Sequence, residues 1–314
     1  MEHTKDTHRY SYSRLETFKE CPRKHHYRYV EQIPEVENEY TMSGKFLHRA
    51  IEAVLKGQDL DEIYEEFHRF VDEGKIRLDR DQLEYTVGLY FSYYYKEYER
   101  ENTLLSEKEF TKKISKDDWF VCINDQTYEL NNLVIVRDTK STRSPLKYTH
   151  DMVQSNMQLL TYVPEIEKYL NRKVDAIQID EVRMAKLASF VPLIQRGKPS
   201  TSLDALSLVT ADLYREELET QGLLDEPKYK NVLALLEKRG HPLFNRITVQ
   251  LSNRVLLDSN EEELQELYKG ASQDLKYRIK DRSRCFLCPF HSICELDEYQ
   301  GSEKNREKLI ETIE

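Results

Sequence analysis

The sequence lacks the features of a membrane protein and of a secreted, disulfide-rich protein. None of its apolar runs is long enough to span a bilayer, and the first residues, MEHTKDTHRYSYS, contain no apolar signal region. Five cysteines in 314 residues are too few for a disulfide scaffold in a chain of this length. We therefore expect a cytoplasmic protein in a reducing compartment.

Three further absences narrow the classes of function. The net charge is −10, which argues against a protein coated in nucleic acid. Basic residues nevertheless cluster at 23–29, 140–147 and 276–284, next to the candidate site residues below, and favour a local groove that faces phosphate. No linker rich in Gly, Pro and Ser is present. No G-x-x-x-x-G-K-[ST] motif is present either, so a helicase would be a separate partner.

The five cysteines are unevenly placed. Cys21 stands alone in SRLETFKECPRKHHYRY, whereas Cys285, Cys288 and Cys294 lie close together in RCFLCPFHSICE. One remote cysteine with a C-x2-C-x5-C group is a ligand set for a tetrahedral metal ion or an iron–sulfur cluster. Such a site would tie the two ends of the chain together. Cys122 lies between apolar residues and is predicted to be a buried core thiol.

Hydrophobic periodicity predicts an α/β protein in which helices come first, then a small sheet, then mixed helices and strands. Helices are predicted at 12–30 with an interruption at Pro22, and at 43–56, 59–72, 81–100, 151–169, 203–220, 228–238 and 260–279. Strands are predicted at 107–113, 119–129, 133–138, 174–185 and 245–252, with a tight turn at Asn131-Asn132. We interpret the chain as one domain, with a helical N-terminal layer (10–102), a core sheet with the active site (103–185), a helical insertion (186–243) and a C-terminal segment with a strand, a helix and the cysteine group (244–314).

Two acidic residues lie on the two strands that the predicted Asn131-Asn132 turn joins. Asp125 is on the first strand, and Asp138 ends the second and begins the triplet Asp138-Thr139-Lys140. Residues two apart on a strand point to the same face, so Asp138 and Lys140 share one. Two carboxylates suit Mg²⁺ or Mn²⁺, which activates water and polarises a phosphodiester, while a lysine stabilises the developing charge. The pattern favours metal-dependent phosphodiester hydrolysis.

Three more polar side chains lie on predicted helices before and after these strands. His48 belongs to the helix 43–56, within G-K-F-L-H. Gln158 and Tyr162 are four residues apart and share a face of the helix 151–169. Each of these signals is weak alone, because a helical histidine is usually a surface or core residue.

Taken in order, the motifs resemble the RecB-like branch of the PD-(D/E)xK nuclease superfamily. The resemblance covers nearly the whole chain and comprises S-R-L-x-x-F-x-x-C-P, G-x-x-x-H, an acidic residue, D-x-K, Q-x-x-x-Y and C-x2-C-x5-C. It is strongest to the iron–sulfur members: the nucleases of CRISPR adaptation, AddB-type nuclease domains, and phage or single-strand exonucleases.

The resemblance implies a restriction-endonuclease-like core sheet with a C-terminal segment stapled by iron and sulfur. The ligands of a [4Fe–4S] cluster would be Cys21, Cys285, Cys288 and Cys294. The residues that hold Mg²⁺ or Mn²⁺ would be His48, Asp125, Asp138 and Thr139. Lys140 would be catalytic together with the two aspartates, and Gln158 and Tyr162 would position substrate or catalytic groups.

The implied function is that of a metal-dependent exonuclease acting on single-stranded DNA ends in recombination, repair or CRISPR adaptation. DNA is the expected partner, with a separate helicase or a recombination or adaptation protein beside it. Zn²⁺ is the alternative occupant of the cysteine group, although the distance of Cys21 from the other three cysteines in the sequence favours the cluster. A protein stapled by zinc, with an incidental acidic pair, is a further alternative.

One position departs from the family pattern. The family has a small residue, an apolar residue and then Asp, whereas this chain reads V-C-I-N-D-Q-T-Y-E. Alignment of the hairpin without gaps assigns the position to Asp125, but Asn124 directly follows Ile123 and is the alternative. If Asn124 fills the position, the site lacks a carboxylate, and the chain is a catalytically impaired DNA-binding or scaffold protein on the same fold.

Overall fold

The computed structural model describes residues 9–35, 38–98, 101–188, 197–252, 254–273 and 288–298, with the single residues 277, 285 and 310. The α-helices are α1 (Tyr12–Glu20), α2 (Pro22–His25), α3 (Glu39–Leu55), α4 (Asp61–Asp72), α5 (Gln82–Tyr93), α6 (Tyr95–Tyr98), α7 (His150–Gln154), α8 (Met157–Leu170), α9 (Ala211–Thr220), α10 (Pro227–Arg239), α11 (Val255–Ser272) and α12 (His291–Glu298). A π-helical turn, His26–Val30, follows α2. The strands are β1 (Arg9–Ser11), β2 (Asn102–Lys113), β3 (Trp119–Leu130), β4 (Leu133–Thr142), β5 (Ala176–Arg183) and β6 (Phe244–Gln250). Within these residues no helix combines the length and the apolar character needed to cross a membrane.

The six strands form one mixed sheet, which confirms the predicted α/β class. One edge of β3 pairs with β2, and the other edge pairs with β1 over residues 119–121 and with β4 over residues 126–130. β5 runs parallel to β4, and β6 is antiparallel to β5. Among the described strands, nothing pairs with residues 122–125 on the second edge of β3, which leaves a gap in the sheet beside Asp125.

Local sequence sets the ends of the elements near this gap. Asn131 and Asn132 have φ of 53° and 65°, the left-handed values of the tight turn predicted between β3 and β4. Asn156 caps α8, since its side chain accepts a hydrogen bond from the amide of Leu159 at 3.0 Å. The prediction of one continuous helix over 151–169 is therefore wrong, and the segment forms α7 and α8.

The other differences from the predicted helices also have local causes. The helix predicted at 203–220 begins only at Ala211, because the side chain of Thr210 caps α9. The helix predicted at 81–100 is interrupted at Tyr94. The helix predicted at 260–279 begins earlier, at Val255, and ends at Ser272; residues 274–276, 278 and 279 lie outside the described residues, as does almost all of the basic cluster 276–284.

Two large apolar cores pack against the sheet, and a third lies apart from it. Helices α1, α8 and α11 pack with the sheet around Val136, Ile177 and Ile179. Helices α3, α4 and α5 pack with the last residues of β5 and the first residue of β6. Helices α9 and α10, within the predicted insertion, share a core of their own. The first two cores hold the helices that bring polar side chains to the gap.

A layer of buried, paired charges lies on the sheet face opposite to that of Asp138. Arg137 Nη2 lies 2.7 Å from Glu101 Oε1, and Arg246 Nη2 lies 2.6 Å from Asp180 Oδ2. Tyr90, from the tyrosine-rich helix α5, donates a hydrogen bond to Asp180. Removing one partner of a buried ion pair leaves an uncompensated charge, so this layer holds α5 firmly against the sheet.

Candidate active site

The gap in the sheet brings Asp125 next to the D-x-K triplet. The antiparallel ladder between β3 and β4 begins at Gln126 and Arg137, so Asp125 and Asp138 are the next pair along the two strands. In place of a backbone carbonyl, the carboxylate of Asp125 accepts the hydrogen bond of the Thr139 amide, at 2.9 Å. The strand alternation turns the Thr139 side chain away from the face of Asp138, so Thr139 meets the Asp125 carboxylate through its backbone amide.

A third carboxylate, which the sequence analysis missed, lies on the other side of Asp125. In the β2–β3 ladder Ser106 pairs with Gln126 and Lys108 with Asn124, so Glu107 is opposite Asp125. Glu107 has φ of +47°, a left-handed backbone that is uncommon for this residue type and that concentrates at functional sites. Burial and the nearby carboxylate of Glu52 raise the pKa of Glu107 to about 6.

Helix α3 brings His48 to the same place. His48 Nδ1 lies 3.5 Å from Asp125 Oδ2, and the His48 side chain is 34% exposed. One turn earlier, a Cβ atom on Gly44 would lie 2.6 Å from Ser141 Oγ, so glycine allows α3 to approach β4 closely. Burial lowers the pKa of His48 despite the attraction of Asp138, which keeps the imidazole neutral and able to ligate a metal.

Helix α8 supplies the remaining predicted side chains. Lys140 Nζ donates to Gln158 Oε1 at 2.7 Å and lies 2.8 Å from Asp138 Oδ2. Gln158 Nε2 donates to Asp138 Oδ1 at 3.2 Å and to the hydroxyl of Tyr162 at 2.9 Å. Burial alone would lower the pKa of Lys140, but the carboxylates of Asp138 and Asp125 raise it above its usual value. Lys140 is therefore a charged ammonium held in one direction.

The described site holds more carboxylates than cations: Glu107, Asp125 and Asp138 lie around the single ammonium of Lys140. Burial, together with the Asp138 carboxylate, raises the pKa of Asp125 well above its usual range. Asp138 is 2% exposed, and among the described residues its Oδ2 atom, although 2.8 Å from Lys140 Nζ, has no hydrogen bond of acceptable geometry. Among the described residues, one ligand atom from each of His48, Glu107 and Asp125 lies within 4.8 Å of the other two. This donor set fits a divalent cation.

Asn124 lies outside this group. It is fully buried, and its side-chain amide is hydrogen-bonded to Thr127 of the same strand. Because successive residues of a strand point to opposite faces, Asn124 and Asp125 diverge. The structure therefore places Asp125, and not Asn124, beside His48.

The four cysteines at the two ends of the chain line one small cavity. Cys21, Cys285, Cys288 and Cys294 surround it with Tyr27 and Phe290. None of these thiols forms a disulfide, and burial raises the pKa of Cys288. The prediction for Cys122 is confirmed, since it is a free thiol that is 3% exposed within the sheet core.

Comparison with known sequences adds to this geometry. No curated protein matches the chain. The family model described as the PD-(D/E)XK nuclease superfamily matches residues 9–295, which include every candidate site residue named above. The chain therefore belongs to the PD-(D/E)XK nuclease superfamily.

Proposed function

We propose that this protein is a Mg²⁺- or Mn²⁺-dependent deoxyribonuclease that degrades single-stranded DNA from its ends. Nucleases of its superfamily are in general metal-dependent phosphodiesterases that act on DNA. The observation that carries the proposal is the convergence of one imidazole, three carboxylates and one ammonium at the gap in the sheet. These groups belong to His48, Glu107, Asp125, Asp138 and Lys140.

The donor set supports a hard divalent cation at this position. Asp138 Oδ2 is a buried carboxylate oxygen that lies 2.8 Å from Lys140 Nζ but has no hydrogen bond of good geometry within the described structure. The raised pKa of Asp125 reflects burial and like-charge repulsion. A cation would satisfy both groups. Carboxylate oxygens with one imidazole suit Mg²⁺ and Mn²⁺ better than soft metals.

The residues of the chain divide the remaining chemistry among them. When bound, a divalent cation polarises the phosphodiester and lowers the pKa of bound water. Lys140 is oriented to stabilise negative charge that develops on phosphorus. Gln158 fixes that orientation, since it bonds Lys140, Asp138 and Tyr162 at once. We therefore assign Gln158 and Tyr162 the role of positioning Lys140.

Two observations support DNA as the substrate: an open cavity beside the site and the family resemblance. A cavity of about 470 Å³ lies against His48 and Glu107, and Lys45 and Arg49 line it. These cations suit contacts with phosphate groups. The choice of single-stranded ends, and of a helicase or a recombination or adaptation protein as partner, is supported by the resemblance to RecB-like enzymes.

We further propose that the four terminal cysteines hold a [4Fe–4S] cluster. Cys21, Cys285, Cys288 and Cys294 line one small cavity, and together they supply the four thiolates that such a cluster requires. Arg23 Nη1 donates to Cys294 Sγ at 3.7 Å, the type of contact that tunes iron–sulfur centres. By analogy with a disulfide that closes a long loop, the link would stabilise the fold by about 4–5 kcal/mol.

The nuclease proposal is tested with purified protein and a labelled single-stranded oligonucleotide. Cleavage is expected with Mg²⁺ or Mn²⁺ and not with EDTA. Asp138→Ala and Lys140→Ala should each reduce turnover by about 10²-fold or more, with melting temperatures that show intact folds. Full activity in either variant would remove the active-site assignment.

The visible absorption spectrum of protein purified without air tests the cluster. A broad brown shoulder, lost in Cys288→Ser, is the expected result. A colourless protein with stoichiometric zinc would show that zinc is the occupant.

The alternative of a catalytically impaired DNA-binding protein depended on Asn124, and the position of Asn124 away from His48 does not favour it.

A further inference from the structure

A second cavity, of about 580 Å³, lies where the last residue of β5 meets the insertion helix α10 and the loop 145–149. Four basic side chains line it: Lys147, Arg183, Arg239 and His241. Leu203 and Leu235, which are 42% and 48% exposed, form an apolar part of its wall. The cavity therefore combines concentrated positive charge with exposed apolar surface.

The two arginines have no acidic partner within the described residues. Arg183 donates to the carbonyl oxygens of Ser207, at 3.2 Å, and Arg143, at 3.4 Å. Arg239 donates to those of Leu206, at 3.0 Å, and Val209. These backbone contacts orient both guanidinium groups without neutralising them. A guanidinium has five N–H donors, so each arginine retains donors for a ligand.

The electrostatics of the cavity agree with this geometry. Burial lowers the pKa of Arg183, and burial together with the nearness of Arg183 lowers the pKa of Arg239. Burial and Arg239 also lower the pKa of His241 to about 4. Asp204 lines the cavity as well, but it is exposed and makes no ion pair with the arginines in the described structure. Within the part of the chain that the structure describes, the cavity thus holds two adjacent guanidinium groups with no carboxylate partner.

The position of Arg183 relates this cavity to the candidate active site. In the parallel ladder of β4 and β5, Lys140 pairs with Glu181 and Thr142 pairs with Arg183. Arg183 therefore emerges on the same sheet face as Lys140, and their Cα atoms are roughly 8 Å apart, from the rise per residue and the strand spacing. Tyr148 lines the cavity, and its backbone amide donates to the carboxylate of Glu181, the ladder partner of Lys140, at 3.1 Å.

We propose that Arg183 and Arg239 bind a second phosphate group of the nucleic-acid strand whose scissile phosphate lies at Lys140. This inference rests on the proposed nuclease function and extends it to how the strand is held. Paired guanidinium groups match the planar donor geometry that phosphate oxygens accept. The exposed leucines can cover the adjoining sugar or base, which favours a nucleotide over a free anion.

The test measures the binding of a fluorescein-labelled single-stranded oligonucleotide by anisotropy, in EDTA so that no cleavage occurs. Arg183→Gln and Arg239→Gln should each weaken binding by about tenfold or more. Each should also reduce the slope of log K against log salt by about 0.7, the value for one phosphate contact on a single strand. Arg172→Gln is the matched control, since Arg172 pairs with Glu129 near the opposite end of β4 and its loss removes the same charge.

Oligonucleotides with a 5′-phosphate, a 3′-phosphate or hydroxyl ends show which phosphate is bound. A difference between wild type and Arg183→Gln that appears only with one terminal phosphate identifies an end-binding site, and an equal difference with all three identifies a backbone phosphate. Arg183→Gln and Arg239→Gln variants that bind as tightly as Arg172→Gln, with an unchanged salt slope, would overturn the inference.

Because both arginines also bond backbone carbonyls, the wild-type protein provides a measurement that does not depend on the variants. Inorganic phosphate should displace the oligonucleotide and, at low millimolar concentrations where general stabilisation by phosphate salts is small, should raise the melting temperature with a saturable dependence on phosphate. Absence of both effects would refute the phosphate site. Wild-type protein that binds through the arginines but never cleaves with Mn²⁺ would refute the nuclease proposal and leave the phosphate site intact.

Discussion

Exchanging the amide and the carboxylate at Asn124 and Asp125 distinguishes the two possible assignments of the first acidic position. Asn124→Asp and Asp125→Asn are both nearly isosteric, and they change the charge of neighbouring residues in opposite directions. If Asp125 is the metal ligand, Asp125→Asn should abolish cleavage and weaken Mn²⁺ binding. Asn124→Asp should then leave the chemistry unchanged and destabilise the fold.

The size of that destabilisation follows from the surroundings of Asn124. In the amide orientation that satisfies both of its ends, the Asn124 oxygen accepts from the Thr127 amide and its nitrogen donates to the carbonyl of Gln126. A carboxylate would lose that donor, face the carbonyl and remain fully buried, which costs about 3 kcal/mol. With about 2.1 cal/mol/K of unfolding entropy per residue, a chain of this length should lose about 5 °C in melting temperature.

Three measurements on the wild type and both variants decide the matter: thermal melting in EDTA, Mn²⁺ titration by calorimetry, and cleavage of a single-stranded oligonucleotide. The expected result is a folded, inactive Asp125→Asn that binds Mn²⁺ poorly, and a less stable Asn124→Asp that retains cleavage. A nearly inert wild type that Asn124→Asp activates would refute the reasoning and assign the position to Asn124.

Three further predictions concern the same site. Burial and the Asp138 carboxylate raise the pKa of Asp125 in the folded protein, so the free energy of unfolding decreases as pH rises above the ordinary pKa of Asp, near 4. In EDTA, the melting temperature of the wild type should therefore fall, relative to that of Asp125→Asn, as pH rises. A difference in melting temperature that does not change with pH would contradict this. Glu107→Gln should weaken Mn²⁺ binding by about tenfold or more in calorimetry, because one charged ligand is lost, whereas Glu109→Gln, two residues along the same strand and paired with Arg9, should not. Gly44→Ala should stabilise the fold less than Gly88→Ala does, because its new methyl group would lie 2.6 Å from Ser141 Oγ and would displace that hydroxyl or α3. Gly88→Ala, in another helix with open space around it, should be neutral or stabilising by about 1 kcal/mol, and equal melting temperatures for the two would argue against the close approach.

Much of the fold was predictable because it depends on interactions between residues close in the sequence. The Asn131-Asn132 pair favours left-handed backbone, and that turn fixes the register of β3 and β4. The two-residue period of a strand likewise places Asp138 and Lys140 on one face. The helix boundaries were less predictable, because Asn156 and Thr210 each act as an N-cap at positions where the apolar periodicity continues.

The parts of the site that were missed depend on long-range pairing. In the sequence, nothing distinguishes Glu107 from other acidic residues of a predicted strand. Only the register between β2 and β3 places it opposite Asp125. The same holds for Arg183 and Arg239, which are separated by more than fifty residues in the chain and meet because β5 and α10 line one cavity. No local period or motif carries that information.

The sequence by itself determined the α/β class, the hairpin, the D-x-K triplet and the set of cysteines at the two ends of the chain, because residue type and short spacing express local backbone preferences and ligand chemistry. Only the tertiary structure decided which carboxylates face one another, that Asn124 turns away from His48, and that two arginines without an acidic partner among the described residues line a cavity near the site. The physical reason is that strand register and helix packing are set by burial over the whole core, and a shift of one residue in a strand turns every side chain to the opposite face.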